Sequence, residues 1–152
     1  GFRLAVNGVG GIGDLDSRLE VYDQLRRSNF HVPSVVHPTA WIEESAALKD
    51  GCQVFPFAYI GTEGKVAFGC IINTGAIVSH NVQLGPYVNL SPGATLAGGV
   101  VVEARALIGM QTTINLNVRV GEGARVGNGA TVKDDVPDGG IVPAGTIWPP
   151  RR

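Results

Sequence analysis

His80 is the only histidine inside the regular part of this chain, where it sits between Ser79 and Asn81. A solvent-facing imidazole can take the proton from an amine or hydroxyl as that group attacks a carbonyl carbon. Gly98 follows eighteen residues later. If eighteen residues make one full turn of the fold, Gly98 lies directly over His80. Its missing side chain would leave room beside the ring, and a backbone N–H there could steady a developing oxyanion. An inert surface histidine and a plain turn glycine are the competing readings. Cys52 and Cys70 are also eighteen residues apart and match no metal pattern, so they read as two small buried hydrophobes stacked one turn apart and no metal site is expected. The run Gly8-Val9-Gly10-Gly11-Ile12-Gly13 has the form G-x-G-x-x-G. A dinucleotide site also needs an acidic residue about 20 positions on, in the second strand. None is present, so these glycines are expected to serve loop geometry.

The element that would place His80 under Gly98 is a strict six-residue repeat. Stepping by six from Val36 gives Val36, Ile42, Leu48, Val54, Ile60, Val66, Ile72, Val78, Leu84, Leu90, Leu96, Val102, Ile108, Ile114, Val120, Val126 and Val132, all aliphatic. Four positions further on in each hexad, from Ala40 to Ala130, every residue is small or β-branched. The position just before it carries turn formers, among them Gly51, Gly69, Gly75, Asn81, Gly93, Gly99, Asn117, Gly123 and Gly129. Each hexad therefore supplies one short strand and one tight turn, and three hexads close a triangular coil. Coils stack about 4.8 Å apart, the spacing of paired strands. Seventeen hexads make between five and six coils. One coil alone cannot bury its aliphatic edge, so stability comes from stacking, with about 1.5–3 kcal/mol from each buried Val, Leu or Ile. A period of six does not fit the 3.6 of an α-helix. The expected fold is mainly β: a parallel β-helix over residues 36–135. Its hand does not follow from the period, since parallel crossovers are normally right-handed.

The ends differ in texture. Residues 1–35 read as one β-α-β unit, with a strand at Phe2–Asn7 and a second at Val32–Val36. Between them Ser17 and Glu20 form a capping box for a helix reaching about Ser28. Residues 136–152 read as a capping strand, Ile141–Trp148, followed by a frayed tail from Pro149 to Arg152. The net charge of −1 argues against a nucleic-acid or anionic-membrane partner. No run approaches the roughly 20 apolar residues of a membrane span, and no signal pattern opens the chain, so the protein is expected to be cytoplasmic.

Several stretches, in one order and spacing, resemble the bacterial sugar acetyltransferases of the sialic-acid O-acetyltransferase and bacillosamine N-acetyltransferase type. They are Val35-Val36-His37-Pro38-Thr39-Ala40, Ile71-Ile72-Asn73-Thr74-Gly75-Ala76, Ser79-His80-Asn81, Leu90-Ser91-Pro92-Gly93-Ala94, Leu96-Ala97-Gly98-Gly99-Val100 and Val132-Lys133-Asp134-Asp135-Val136-Pro137-Asp138. The resemblance implies a left-handed β-helix. It implies a homotrimer with active sites between subunits, acetyl-CoA as cosubstrate, and a sugar or nucleotide-sugar acceptor held partly by a Rossmann-like N-terminal domain. Residues 1–35 resemble only the last strand, helix and strand of that domain, so it looks truncated. By the same resemblance His80 is the general base, Gly98 supplies the oxyanion contact, and Gly98 and Gly99 face acetyl-CoA. Asn73 aligns with an asparagine near the acceptor. Asn89 stands where some relatives have a histidine that contacts the thioester or acceptor. Asn81 replaces the acidic residue that often orients the histidine, although Ser79-His80-Asn81-Val82 is similar to the pattern of lipid A N-acyltransferases. Val142-Pro143-Ala144 echoes only loosely the family's Gly-x-Pro-Ala, which the resemblance ties to the CoA adenine pocket.

Three other readings compete. A metalloenzyme like the γ-class carbonic anhydrases shares the fold but needs three converging histidines, and His37 is not spaced to share a corner with His80. A non-catalytic β-helix scaffold subunit would explain the short N-terminal part. An acyltransferase that takes its acyl group from acyl carrier protein would use the same fold.

Overall fold

The computed structural model describes residues 3–11, 13 and 15–150. From Val35 onward the chain is a left-handed parallel β-helix of two-residue strands. Its first face stacks Val35–Val36, Gln53–Val54, Ile71–Ile72, Asn89–Leu90, Leu107–Ile108, Arg125–Val126 and Ile141–Val142. The second runs from Trp41–Ile42 through Ile77–Val78, Thr95–Leu96 and Thr113–Ile114 to Ile147–Trp148. The third has five strands, from Ala47–Leu48 to Arg119–Val120. Partners are eighteen residues apart, as in Ile72↔Leu90 and Val78↔Leu96. The repeat position that begins at Val36 points inward: from Val54 to Val132 every member is buried. The exceptions lie at the open end, where Val36 is exposed and Ile42 and Leu48 are half-buried. Among the described residues no coil stacks beneath them.

The turn position takes positive φ, as its residue types foretold: Asn81 (58°), Gly99 (70°) and Asn117 (59°) are examples. Tyr87 and Arg105 adopt it too, at 61° and 63°, although such a backbone costs a side-chain-bearing residue about 1–2 kcal/mol. Both present their side chains to the N-terminal helix. The Tyr87 ring lies 5.7 Å from that of Tyr22, and Arg105 pairs with Asp16 at 3.1 Å.

That helix, α1, spans Leu15–Arg27, with Asp16 in its first turn and Arg26 and Arg27 in its last, matching the macrodipole. It starts ahead of Ser17, so Ser17 and Glu20 lie inside it and not at its start, where the capping box was expected. It ends with Asn29 in the left-handed region. There Phe30 N–H donates to Leu25 O (2.9 Å) and Asn29 N–H to Arg26 O (3.1 Å), a Schellman closure. Helix α1 is latched to the β-helix by polar groups. Tyr22 OH donates to Gly51 O at 2.8 Å. Arg18, 1% exposed, donates to Tyr22 OH (2.7 Å), to Gly69 O and to Val9 O. Burial lowers the Arg18 pKa and raises that of Tyr22 to about 12.

Both ends depart from the sequence reading. The expected strand at Phe2–Asn7 appears, among the described residues, as a single parallel bridge between Leu4 and His31; Phe2 lies outside them. Val35–Val36 joins the β-helix at Gln53–Val54 and not an N-terminal sheet. At the other end the single capping strand proves to be two, Ile141–Val142 and Ile147–Trp148, which extend the faces beyond residue 135. The register there shortens from eighteen to sixteen, since Val126 pairs with Val142 and Val132 with Trp148. The bend at residues 134–138 drops two residues while keeping Val136 and Val142 buried. Of the frayed tail, Arg151 and Arg152 lie outside the described residues, as does Ile12 of the glycine run.

Candidate active site

The corner that follows the second face carries the groups singled out for chemistry. Because Ile60, Val78, Leu96 and Ile114 are in register, Thr62, His80, Gly98 and Leu116 form one column along this corner. Backbone hydrogen bonds pin the column: Asn81 N–H to Thr62 O (2.9 Å), Gly99 N–H to His80 O (3.0 Å) and Asn117 N–H to Gly98 O (3.1 Å).

His80 is exposed. Its Nδ1 lies 3.0 Å from Asn81 Oδ1. A carbonyl oxygen accepts only, so Nδ1 carries the ring proton and Nε2 keeps a free lone pair. Asn81 holds a positive-φ turn and places its amide oxygen against Nδ1 of His80.

Gly98 does lie over His80, but it is not an empty slot. A Cβ there would sit 2.4 Å from both Cε1 and Nε2 of His80. The imidazole itself fills the space that glycine leaves and lies against the bare backbone of the next coil. The ring is open on its solvent side. The Gly98 N–H donates to no backbone carbonyl among the described residues, so it is unspent. The Gly99 N–H is taken by His80 O, and a Cβ at Gly99 would stand 2.3 Å from Asn117 Oδ1. Thus Asn117, which the sequence reading assigned only to a turn and which stands two coils beyond Asn81 in the same column, lays its amide over Gly99. The eighteen-residue spacing to Gly99 was the available signal.

The other two asparagines are elsewhere within one chain. Asn73 lies on the corner after the first face, where its Oδ1 accepts from Thr74 N–H at 2.8 Å, a bond that serves the turn. Asn89 lies on the first face, 4% exposed, beneath the N-terminal loop: a Cβ on Gly11 would approach its Nδ2 to 2.8 Å. Among the described residues its Oδ1 has no hydrogen-bond partner. A cavity of about 30 Å³ beside it is lined by Gly11, Gly13, Leu15, Tyr87, Asn89, Arg105 and Arg125 among others.

Further along that face runs a larger, mostly apolar groove of about 470 Å³. Leu107, Met110, Val126, Ile141, Pro143 and Ala144 contribute to it, and Arg125 is the one charged residue in its lining. The two cysteines are fully buried and unlinked, with Cys52 Sγ donating to Ala67 O (3.1 Å) and Cys70 Sγ to Gly85 O (3.2 Å). The neighbouring Cys52 and burial push the Cys70 thiol well up. Among the described residues no three His, Cys, Asp or Glu side chains gather as a metal cluster, and no helix is long and apolar enough to cross a membrane.

No protein-family model matches the chain. Solved structures do. A mutant of perosamine N-acetyltransferase from Caulobacter crescentus, in complex with CoA and GDP-perosamine, superimposes with a TM-score of 0.84 and 32% identity, over 87% of this chain and 63% of that one. The acetyltransferase domain of PglB from Neisseria gonorrhoeae FA1090, in complex with acetyl coenzyme A, gives 0.85 and 26% over 96% and 81%. In sequence, a 50-residue stretch is 34% identical to an acyl-[acyl-carrier-protein]–UDP-N-acetylglucosamine O-acyltransferase of Bartonella bacilliformis, covering 33% of this chain and 18% of that protein. The chain thus spans under two-thirds of the perosamine enzyme and about a fifth of the Bartonella protein. Its structural neighbours are sugar acetyltransferases built on the same left-handed β-helix.

Proposed function

We propose that this chain moves an acetyl group from acetyl-CoA to an amino or hydroxyl group of a nucleotide-linked sugar, with His80 as general base. The observation that carries the reading is the His80 corner. Asn81 Oδ1 faces Nδ1 at 3.0 Å, and the opposite edge of the ring rests on the side-chain-free Gly98. That arrangement leaves Nε2 as the basic atom. In the reaction Nε2 takes the proton of the acceptor amine or hydroxyl as its nitrogen or oxygen bonds to the thioester carbon. The carbonyl oxygen becomes an oxyanion that the Gly98 N–H stabilises. When the carbon–sulfur bond breaks, the thiolate leaves and takes the proton back from the imidazolium, giving CoA thiol and acetylated sugar. Asn81 holds the ring through both transfers.

The acceptor contacts assigned by resemblance, Asn73 and Asn89, sit away from His80 within one chain. In this proposal a homotrimer brings such faces together, with the active sites in the clefts between subunits. The neighbours crystallised with GDP-perosamine and CoA, or with acetyl coenzyme A, support both substrate classes. A cytoplasmic setting fits those substrates. The Bartonella likeness favours a second reading, in which the donor is an acyl carrier protein.

The test is release of free thiol from acetyl-CoA with a panel of GDP-, UDP- and dTDP-linked amino sugars. Turnover that requires both substrates and falls by about 10²–10⁴ in His80→Ala, with the fold retained, is the expected result. Unchanged turnover in that variant removes His80 from the mechanism.

A further inference from the structure

We propose that the cleft between α1 and the β-helix binds a single aromatic ring that carries a hydrogen-bond donor, a phenol or an arylalkyl ammonium. The inference is independent of the acetyltransferase reading, because this cleft contains neither His80 nor Gly98. Its volume is about 210 Å³. An apolar cavity of about 150 Å³ admits benzene, so this one has room for one ring and a small substituent.

The walls suit such a ring. They come from Tyr22 on α1, from Phe30 and Val32 just after it, and from Phe68 and Tyr87 on the β-helix. Tyr22, Phe68 and Tyr87 already form a cluster, with centroids 5.1, 5.7 and 5.8 Å apart and two of the three pairs edge-on. That is the packing aromatic rings prefer, and one more ring in the cleft extends it. The site is also set in advance of any ligand. Tyr22 is 3% exposed and its OH is tied to Gly51 O at 2.8 Å, so its ring need not be ordered on binding.

The rim supplies the polar half of the match. Arg26, His31 and Asp50 stand there. Arg26 is committed to Asp23. Arg18 and Arg3 lie against the Tyr22 and Phe30 rings, at 5.0 and 4.4 Å, so both rings already have a cation beside them. Asp50 is different. Its nearest cationic partner is His31, whose Nδ1 is 3.8 Å from Oδ2, longer than a hydrogen bond. Among the described residues its carboxylate accepts no hydrogen bond, and a carboxylate can only accept. An aromatic cleft with a free carboxylate at its mouth selects a ring with a donor, and it disfavours a ring that bears its own carboxylate.

The test is an NMR titration of the whole chain with tyramine, p-cresol, toluene and phenylacetate, with backbone amide shifts locating the site. At least one of the two donor-bearing rings is expected to saturate at millimolar concentration or below and to move the amides of His31, Asp50, Phe68 and Tyr87. Toluene should bind more weakly, and phenylacetate most weakly of all. Asp50 is exposed, so Asp50→Ala should keep the fold; it should weaken the donor-bearing ring about tenfold and leave toluene unchanged. Tyramine responding alone makes the ligand an ammonium, and p-cresol responding makes a neutral phenol sufficient. The proposal is overturned if neither donor-bearing ring saturates, if the shifts fall outside this cleft, if Asp50→Ala binds as tightly as wild type, or if phenylacetate matches p-cresol. Each of these results leaves the thiol-release assay, and the reading tested by it, untouched.

Discussion

Replacing Gly98 with alanine adds one methyl group at the point where the fold and the proposed chemistry touch. The backbone of Gly98 is not in the left-handed region, unlike that of Gly99 at φ 70°, so alanine is free to adopt it. The new Cβ would stand 2.4 Å from Cε1 and Nε2 of His80. Ordinary carbon contacts lie near 3.5–4.0 Å, so the ring must retreat by more than 1 Å. It is exposed and hinged at two side-chain bonds, so it can swing outward at little cost to the stack. What is lost is its place: the bond from Nδ1 to Asn81 Oδ1, now 3.0 Å, breaks, and Nε2 leaves the Gly98 amide. A misplacement of about 1 Å can cost on the order of 10²-fold in rate. Gly98→Ala should therefore lose about 10²-fold in kcat in the thiol-release assay, with a melting temperature close to wild type. In the double variant with His80→Ala the second change should add almost nothing, because both act through one imidazole. A fully active Gly98→Ala protein, or losses that multiply in the double variant, would refute the idea that this glycine exists to seat the ring.

Asn81→Gly keeps the positive-φ turn and removes only the hydrogen bond to Nδ1; kcat should drop about 10- to 100-fold with little change in KM, and an unaltered kcat would leave Asn81 as a turn residue. Ile72→Asp puts an unpaired carboxylate at a fully buried position and should abolish the folded state by circular dichroism, whereas Ile77→Asp, outward and 41% exposed, should fold; a native melt for Ile72→Asp would contradict the stacked core. Arg18→Met removes the buried donor to Tyr22 OH, Gly69 O and Val9 O, and should weaken α1 docking by about 1–3 kcal/mol, seen as faster hydrogen exchange in α1 over an unchanged β-helix; equal protection in both proteins would count against the latch. Asp138 has its pKa lowered by Arg119 and by the Glu122 N–H. A depressed folded-state value means its stabilising contribution is present above the ordinary aspartate range and is lost as pH falls through the folded value. Asp138→Asn should accordingly be less stable than wild type at neutral pH, with the gap closing in strong acid; a gap that does not change with pH would show that the pair with Arg119 contributes nothing.

The coil itself was legible in the amino-acid order because a period of six leaves its mark on every turn: an aliphatic at one position, a small residue at another, a turn former between. One face is buried and one corner cramped in every coil, so each repeat restates the same steric demand, and His80 beneath Gly98 follows from counting. Other features depend on contacts between residues far apart in the chain, and no period announces them. The imidazole filling the space beside Gly98 could not be told from a vacant slot until the rotamer was seen. Asn89 aligned with a position that contacts the thioester or acceptor, yet within one chain it lies on the first face and the Gly11 loop closes over it. Tyr87 and Arg105 hold a strained turn that their types disfavour, because α1 needs their side chains. The β-helix runs on past Val132 because Val136 and Val142 can still reach the interior after two residues are dropped, a shift that a fixed count of six conceals. Local repetition determined the scaffold; which groups share a site was decided by long-range packing, where burial and hydrogen bonding outweigh spacing.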